Sequence, residues 1–163
     1  MSSAGAHPYP PVGTKAPGFS ALASDGRKLK LADFQGETVV LYFYPKDDTP
    51  GCTKEACGFR DSHDQFKRAG IVVLGVSPDS ADSHRRFIEK FDLPFTLLID
   101  EGHKICESYG VWQEKSNYGR KNMGVARTTF VIDPQGRIAH VFEKVRPEGH
   151  EAEVLAWINA NLR

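Results

Sequence analysis

Cys52 and Cys57 stand five residues apart in Pro45-Lys46-Asp47-Asp48-Thr49-Pro50-Gly51-Cys52-Thr53-Lys54-Glu55-Ala56-Cys57, and two thiols so placed could do redox chemistry. A Pro-Gly turn precedes the first thiol. After it, Thr53 to Ala69 holds no Pro and no Gly except Gly58, sets Phe59, His63 and Phe66 on one face, and ends in Lys67, Arg68 and Gly70. These are the signs of a helix that starts at the turn, which puts Cys52 in its first turn. Unpaired amide hydrogens and the positive end of the helix dipole favour an anion there, and the thiolate is the nucleophilic form of cysteine.

The elements that must hold this helix follow from the rest of the pattern. Thr38 to Tyr44 is a short β-branched and aromatic run stopped by Pro45, which predicts a buried strand feeding the turn. Leu29 to Leu31 reads as a short strand after the Asp25-Gly26 turn, Ile71 to Val76 as another apolar strand, Ser80 to Phe91 as a helix with Phe87, Ile88 and Phe91 inward, and Phe95 to Ile99 as a further strand. Asp100 is placed to cap a short helix through Ser108. Thr128 to Asp133 and Gly136 to Phe142 read as strands joined by a Pro-Gln-Gly turn, and a last helix spans about 149 to 162. Alternating strands and helices closed by a hairpin and a helix predict an α/β layer structure of thioredoxin-like order, with a central mixed β-sheet flanked by helices.

The 163 residues suit one domain, expected over residues 14–163, with residues 1–13, rich in Ser, Ala, Pro and Gly, as a flexible N-terminal arm. Twenty-one basic residues balance 21 acidic ones, so no nucleic-acid or membrane partner is expected from charge. The longest apolar runs are strand-sized and the first residues lack the basic and apolar regions of a secretory signal, which makes a cytoplasmic location the default. Three cysteines are too few for a disulfide scaffold and point to catalytic or incidental thiols. His7, His63, His84, His103, His140 and His150 show no metal-ligand spacing, so no metal is expected and solvated or capping roles are assigned to them. The basic cluster Lys115, Arg120 and Lys121 around Asn117-Tyr118-Gly119 reads as a solvated loop.

Tyr42-Phe43-Tyr44-Pro45, Thr49-Pro50-Gly51-Cys52-Thr53 and Arg127-Thr128-Thr129-Phe130-Val131-Ile132-Asp133 resemble the peroxiredoxins, specifically the bacterioferritin comigratory protein or PrxQ group. The arrangement of Pro45, Thr49 and Cys52 is the most specific part of the match. The resemblance implies a thiol peroxidase without cofactor, with Cys52 as the peroxidatic cysteine, Cys57 as the resolving cysteine, Thr49 and Arg127 completing the pocket, Pro45 shielding the sulfur, and thioredoxin as the reductant. It also favours a monomer, with a dimer as the alternative.

Ionisation alone does not account for such an activity. A thiol with a pKa of about 8.5 is already about 3% ionised at neutral pH, so complete ionisation gains at most about 30-fold. The larger effect must come from donors around the departing oxygen, for which the Thr49 hydroxyl, amides near Cys52 and the Arg127 guanidinium are suited. Glu55, one turn on, either orients Arg127 or lies on a solvated helix face. In an intact helix, positions five apart have Cα atoms roughly 8.6 Å apart. A disulfide needs less than about 7 Å, so a Cys52–Cys57 bond requires the helix start to unwind. Gly51 and Gly58 lower the cost of that change.

Other readings stand beside these. Cys57 would also suit a core-facing position, and Cys106 reads as a packed, inert thiol, with alternative resolver as its minor role. Phe43, Trp112 and Phe130 form either an apolar collar around the site or ordinary core. The competing activity is thiol–disulfide exchange of the thioredoxin type, which normally uses a C-x-x-C pair rather than the C-x-x-x-x-C seen here. A non-enzymatic holdase on the same fold is a third option. A sulfur sealed from solvent would not serve a peroxidase.

Overall fold

Residues 9–162 are described by the structure, a computed structural model. Residues 1–8 of the expected arm lie outside the described residues; Tyr9 is buried with its ring 6.0 Å from that of Phe130, and the Gly13 amide donates to the Ile138 carbonyl at 2.8 Å. Strands β1 (Ser20–Leu22) and β2 (Lys28–Lys30) form an antiparallel hairpin, and a 3₁₀ turn follows over Leu31–Phe34. The sequence pattern missed β1, whose three residues carry too little alternation to stand out.

Strand β3 (Thr38–Phe43) leads through the Pro45–Thr49 loop into helix α1 (Pro50–Asp61). The helix expected to run on to Ala69 instead stops at Ser62, whose ψ of 7° leaves the α-helical range, and α2 (His63–Arg68) resumes after it. Next come β4 (Ile71–Ser77), α3 (Ala81–Phe91), β5 (Thr96–Ile99) and α4 (Lys104–Ser108). Asp100 serves α4 from four residues upstream, its carboxylate accepting from the amides of Ile105 and Cys106 at 3.0 and 2.9 Å. The basic stretch expected as a loop is a second hairpin, β6 (Trp112–Asn117) with β7 (Arg120–Val125). Its two-residue turn, Tyr118-Gly119, has both φ values positive, 53° and 79°, the backbone that matches strand twist in tight hairpins. Strands β8 (Thr128–Ile132) and β9 (Ile138–Phe142) and helix α5 (His150–Asn161) complete the chain as expected.

The main sheet has the order β5-β4-β3-β8-β9, with β3, β4 and β5 parallel and β8 antiparallel to both β3 and β9. It is the mixed, helix-flanked sheet the sequence predicts. Alternation along β3 decides what lies on each face. Val39, Leu41 and Phe43 pack with Cys106, Tyr109 and Phe130, whereas Val40, Tyr42 and Tyr44 pack with Cys52 and Phe59 of α1, Phe87 of α3 and Ile158 of α5. Tyr42 stacks on Phe59 with centroids 4.8 Å apart, fixing α1 against the sheet. Gly75 on β4 makes room for this ring: a Cβ there would lie 3.0 Å from Tyr42 Cζ and 2.7 Å from Leu97 Cδ2.

Candidate active site

Thr49 precedes α1 in extended conformation, Pro50 opens the helix where its missing amide hydrogen costs nothing, and the first intrahelical bond runs from Thr53 N to Thr49 O at 2.8 Å. The amides of Gly51 and Cys52 fall before that bond, so they point outward at the helix start. Cys52 is thus on the first turn, above Tyr42. The Thr49 hydroxyl donates to the Lys46 carbonyl at 2.9 Å. A hydroxyl has one hydrogen, so in this arrangement Thr49 offers the site lone pairs rather than the donor expected of it.

Arg127 immediately precedes β8, and its carbonyl accepts from Val145 N at 3.2 Å. Its guanidinium spans two groups of α1: Nη1 donates to Glu55 Oε1 at 2.7 Å and Nη2 donates to Cys52 Sγ at 3.4 Å. Gly51 permits this approach, since a Cβ there would sit 3.2 Å from Nη2 and 3.4 Å from Cγ of Pro147. Glu55 is 1% exposed, which removes the solvated-face alternative. Burial pushes its carboxyl up to about 7 against the pull of Arg127, and Oε2 has no hydrogen-bond partner among the described residues. Burial works against the Arg127 charge as well, but Glu55 and Cys52 outweigh it and hold the guanidinium protonated.

The structure therefore brings Cys52, Thr49 and Arg127 to one end of α1, with half-buried Pro45 at the start of the loop. Cys57, also half-buried, lies on the same helix and forms no disulfide with Cys52. Cys106 is fully buried on the other face of the sheet, where burial pushes its thiol far up. Cys52 itself is 1% exposed. The sulfur lies beneath the Arg127 guanidinium in this conformation, short of the solvent access expected of it from the sequence.

Of the two readings of Phe43, Trp112 and Phe130, ordinary core holds: Phe43 and Phe130 are buried on the sheet face away from α1, and Trp112 packs against the same cluster and stacks on His103 at 4.0 Å. Two histidine readings need correction. His84 and His150, assigned solvated or capping roles, are buried at 0% and 2% exposure. His150 Nε2 lies 2.7 Å from Thr129 Oγ1, and His84 joins a polar cluster with Asp47. The signal for His84 was present in the sequence: it precedes Phe87, Ile88 and Phe91 by three, four and seven residues, which is the period of one helix face.

Residues 12–141 match the AhpC/TSA family. The chain belongs to this family and is a peroxiredoxin. It is 54% identical over 144 residues to a putative peroxiredoxin bcp of Coxiella burnetii, covering 88% of this chain and 95% of that one. It is 49% identical over 144 residues to the peroxiredoxin Bcp of Bacillus subtilis, covering 88% and 92%. A solved structure of the Xanthomonas campestris bacterioferritin comigratory protein, studied for alkyl peroxide reduction, superposes with a TM-score of 0.88 at 34% identity over 94% of this chain and all of that one. As a peroxiredoxin of the Bcp/PrxQ group the protein is a thiol peroxidase, and the family implies a peroxide substrate and a thiol reductant. No helix among the described residues of this peroxiredoxin is long and apolar enough to cross a membrane.

Proposed function

We propose that the protein reduces hydrogen peroxide and organic hydroperoxides at Cys52, resolves the product with Cys57 as an intramolecular disulfide, and is recycled by thioredoxin. The observation that carries this reading is the Arg127 guanidinium, held by Glu55 at 2.7 Å and directed at the Cys52 sulfur at 3.4 Å. The alkyl peroxide activity of the Xanthomonas relative supports the organic substrates.

The thiolate attacks the nearer peroxide oxygen, forming the S–O bond as the O–O bond breaks. The electron pair of that bond leaves on the distal oxygen, which takes a proton and departs as water or an alcohol. Arg127 and the Gly51 and Cys52 amides stabilise the growing negative charge, while the Thr49 oxygen accepts a hydrogen bond from the peroxide. Pro45 keeps water from the sulfur. Cys57 then attacks the sulfenic acid, forming the disulfide and releasing water. A dithiol returns two electrons and two protons. Before the second step α1 unwinds, because an intact helix holds the two Cα atoms roughly 8.6 Å apart. The chain acts as a monomer in the cytoplasm, where such a reductant is at hand.

Mass spectrometry after one equivalent of peroxide tests this reading. The expected product is a Cys52–Cys57 disulfide, with a Cys52 sulfenate in the Cys57→Ser variant and no oxidation in Cys52→Ser. Normal thioredoxin-dependent turnover by Cys57→Ser would overturn the role of Cys57. Reduction of insulin without peroxide would identify a disulfide exchanger instead.

A further inference from the structure

Behind the Pro45–Thr49 loop lies a polar cluster that the chemistry of Cys52 does not use. Asp47 is 6% exposed and His84 is 0% exposed. The Tyr44 hydroxyl donates to Asp47 Oδ1 at 2.6 Å, the Ser83 hydroxyl donates to Oδ2 at 2.8 Å, and His84 Nδ1 lies 2.7 Å from Oδ2. On its far side, His84 Nε2 lies 2.8 Å from the Leu98 carbonyl of β5. The Asp47 amide donates to Asp79 Oδ2 at 2.8 Å, and the same oxygen accepts from Ser77 at 2.6 Å.

The partners fix the proton count. A carbonyl has only lone pairs, so Nε2 carries a hydrogen. The carboxylate oxygen on the other side requires a hydrogen on Nδ1 as well, which makes the ring a cation paired with Asp47. Asp47, Asp79 and His84 have ligand atoms within 4.8 Å of one another, yet each is already engaged in these bonds, so the arrangement suits a bound proton better than a metal.

The pair acts on the loop that faces Cys52. Asp47 is two residues from both Pro45 and Thr49, and the next residue, Asp48, holds a left-handed backbone with φ of 57°, a turn conformation that aspartate adopts more readily than most residues. The Lys90–Asp48 contact at 2.9 Å is solvent-exposed and contributes little. We propose that Asp47 and His84 are positioning residues, clamping the Pro45–Thr49 loop onto α3 and β5 and thereby setting the peroxide-facing geometry around Cys52. This rests on the peroxidase reading of Cys52.

The clamp depends on pH. The groups facing His84 are Asp47 from the loop, Asp79 from the β4–α3 connection and the Leu98 carbonyl from β5; on α3 itself Ser83 shares its Asp47 oxygen, and Tyr44 of β3 binds the other one. Burial opposes the charge on His84, but Asp47 overcomes it and raises the ring above its ordinary 6.5. The clamp is therefore complete below pH 6.5 and is lost as pH rises through the higher folded-state value.

Two measurements test it. In ¹⁵N-labelled protein, both ring nitrogens of His84 should be protonated at pH 6 and one should lose its proton above pH 6.5. The rate of Cys52 oxidation by hydrogen peroxide, followed by stopped-flow from pH 6 to 9, should fall across the same transition. In Asp47→Asn and His84→Gln it should be roughly 10- to 100-fold lower at pH 6, the scale of a small misplacement at a reacting centre, and should lack that fall. Folded variants with wild-type rates and pH profile, or a His84 nitrogen unprotonated at pH 6, would overturn the proposal. Should the variants fail to fold, the ring protonation decides it. A wild-type protein that consumes no peroxide would instead refute the reading of Cys52.

Discussion

Arg127 is held to Glu55 by a 2.7 Å bond made where the carboxylate is wholly buried, so the direction of the guanidinium is set from within α1 rather than by solvent. The same helix thereby carries the sulfur and the group that aims the cation at it. Replacing Arg127 with Lys keeps the charge but loses the two-pronged contact to Glu55 and Cys52. The second-order rate of Cys52 oxidation by peroxide should fall about 10²- to 10³-fold, the cost of removing one donor from a charge-stabilising site. Stopped-flow tryptophan fluorescence measures it, and a loss below threefold would remove Arg127 from the mechanism.

Glu55 should leave a signature in stability against pH. Its folded-state value of about 7 exceeds the ordinary glutamate value of 4.5, so the folded protein holds this proton more tightly than the unfolded chain. The contribution is most favourable below pH 4.5 and is lost as pH rises through about 7. Glu55→Gln removes the titration, and urea denaturation should show the variant gaining on wild type between pH 5 and 8, by about 3 kcal/mol at most. A pH-independent difference would contradict the buried, titrating carboxyl.

Gly58 offers a way to separate the two oxidation steps. The nearest atoms to a Cβ there belong to the flexible, half-buried Glu151 side chain, which can swing aside, while Ala favours a helix interior over Gly by about 1 kcal/mol. Gly58→Ala should leave the peroxide step unchanged and slow Cys52–Cys57 disulfide formation about fivefold, the rate equivalent of that energy. Rapid-quench mass spectrometry would follow both species; an unchanged second step would mean that α1 does not unwind before it.

Gly75 should tolerate no side chain. The methyl of Gly75→Ala would press on Leu97 Cδ2 at 2.7 Å and Tyr42 Cζ at 3.0 Å, both in rigid, fully buried side chains. A loss of about 1–3 kcal/mol is expected from overpacking. Thermal or denaturant unfolding gives the value, and a neutral result would show slack beneath the helix that carries Cys52.

The parts of this molecule legible in its sequence were those with strong local chemistry. Pro45 stopping an apolar run, Pro50 and Gly51 at a turn, and a glycine-terminated amphipathic stretch located β3, the loop and the start of α1. The break at Ser62 left no such mark, because nothing in Asp61-Ser62-His63 forbids a continuous helix, while Phe66 of α2 is fully buried in the same core cluster as Phe59 of α1. The β6–β7 hairpin was hidden by its mostly polar strands, which lack a run of apolar alternation, with only Tyr118-Gly119 to mark its turn. At the site, the motif located Cys52, Thr49 and Arg127, but whether Glu55 is solvated, where the Thr49 hydrogen goes and what lies behind Asp47 depend on contacts between segments 32 to 72 residues apart, or on local geometry that residue types do not fix.

The interruption at Ser62 has a mechanical consequence. A rod running unbroken to Ala69 would transmit any disturbance at its Cys52 end along 17 or more residues and pull Phe66 from its seat, whereas a joint after Asp61 isolates the forward segment. Ordering each residue costs about 1–2 kcal/mol of backbone entropy. On the proposed mechanism, dividing the rod would confine the unwinding of α1 to the dozen residues that carry both thiols, and would leave the sheet and its remaining helices as an undisturbed chassis for the next cycle.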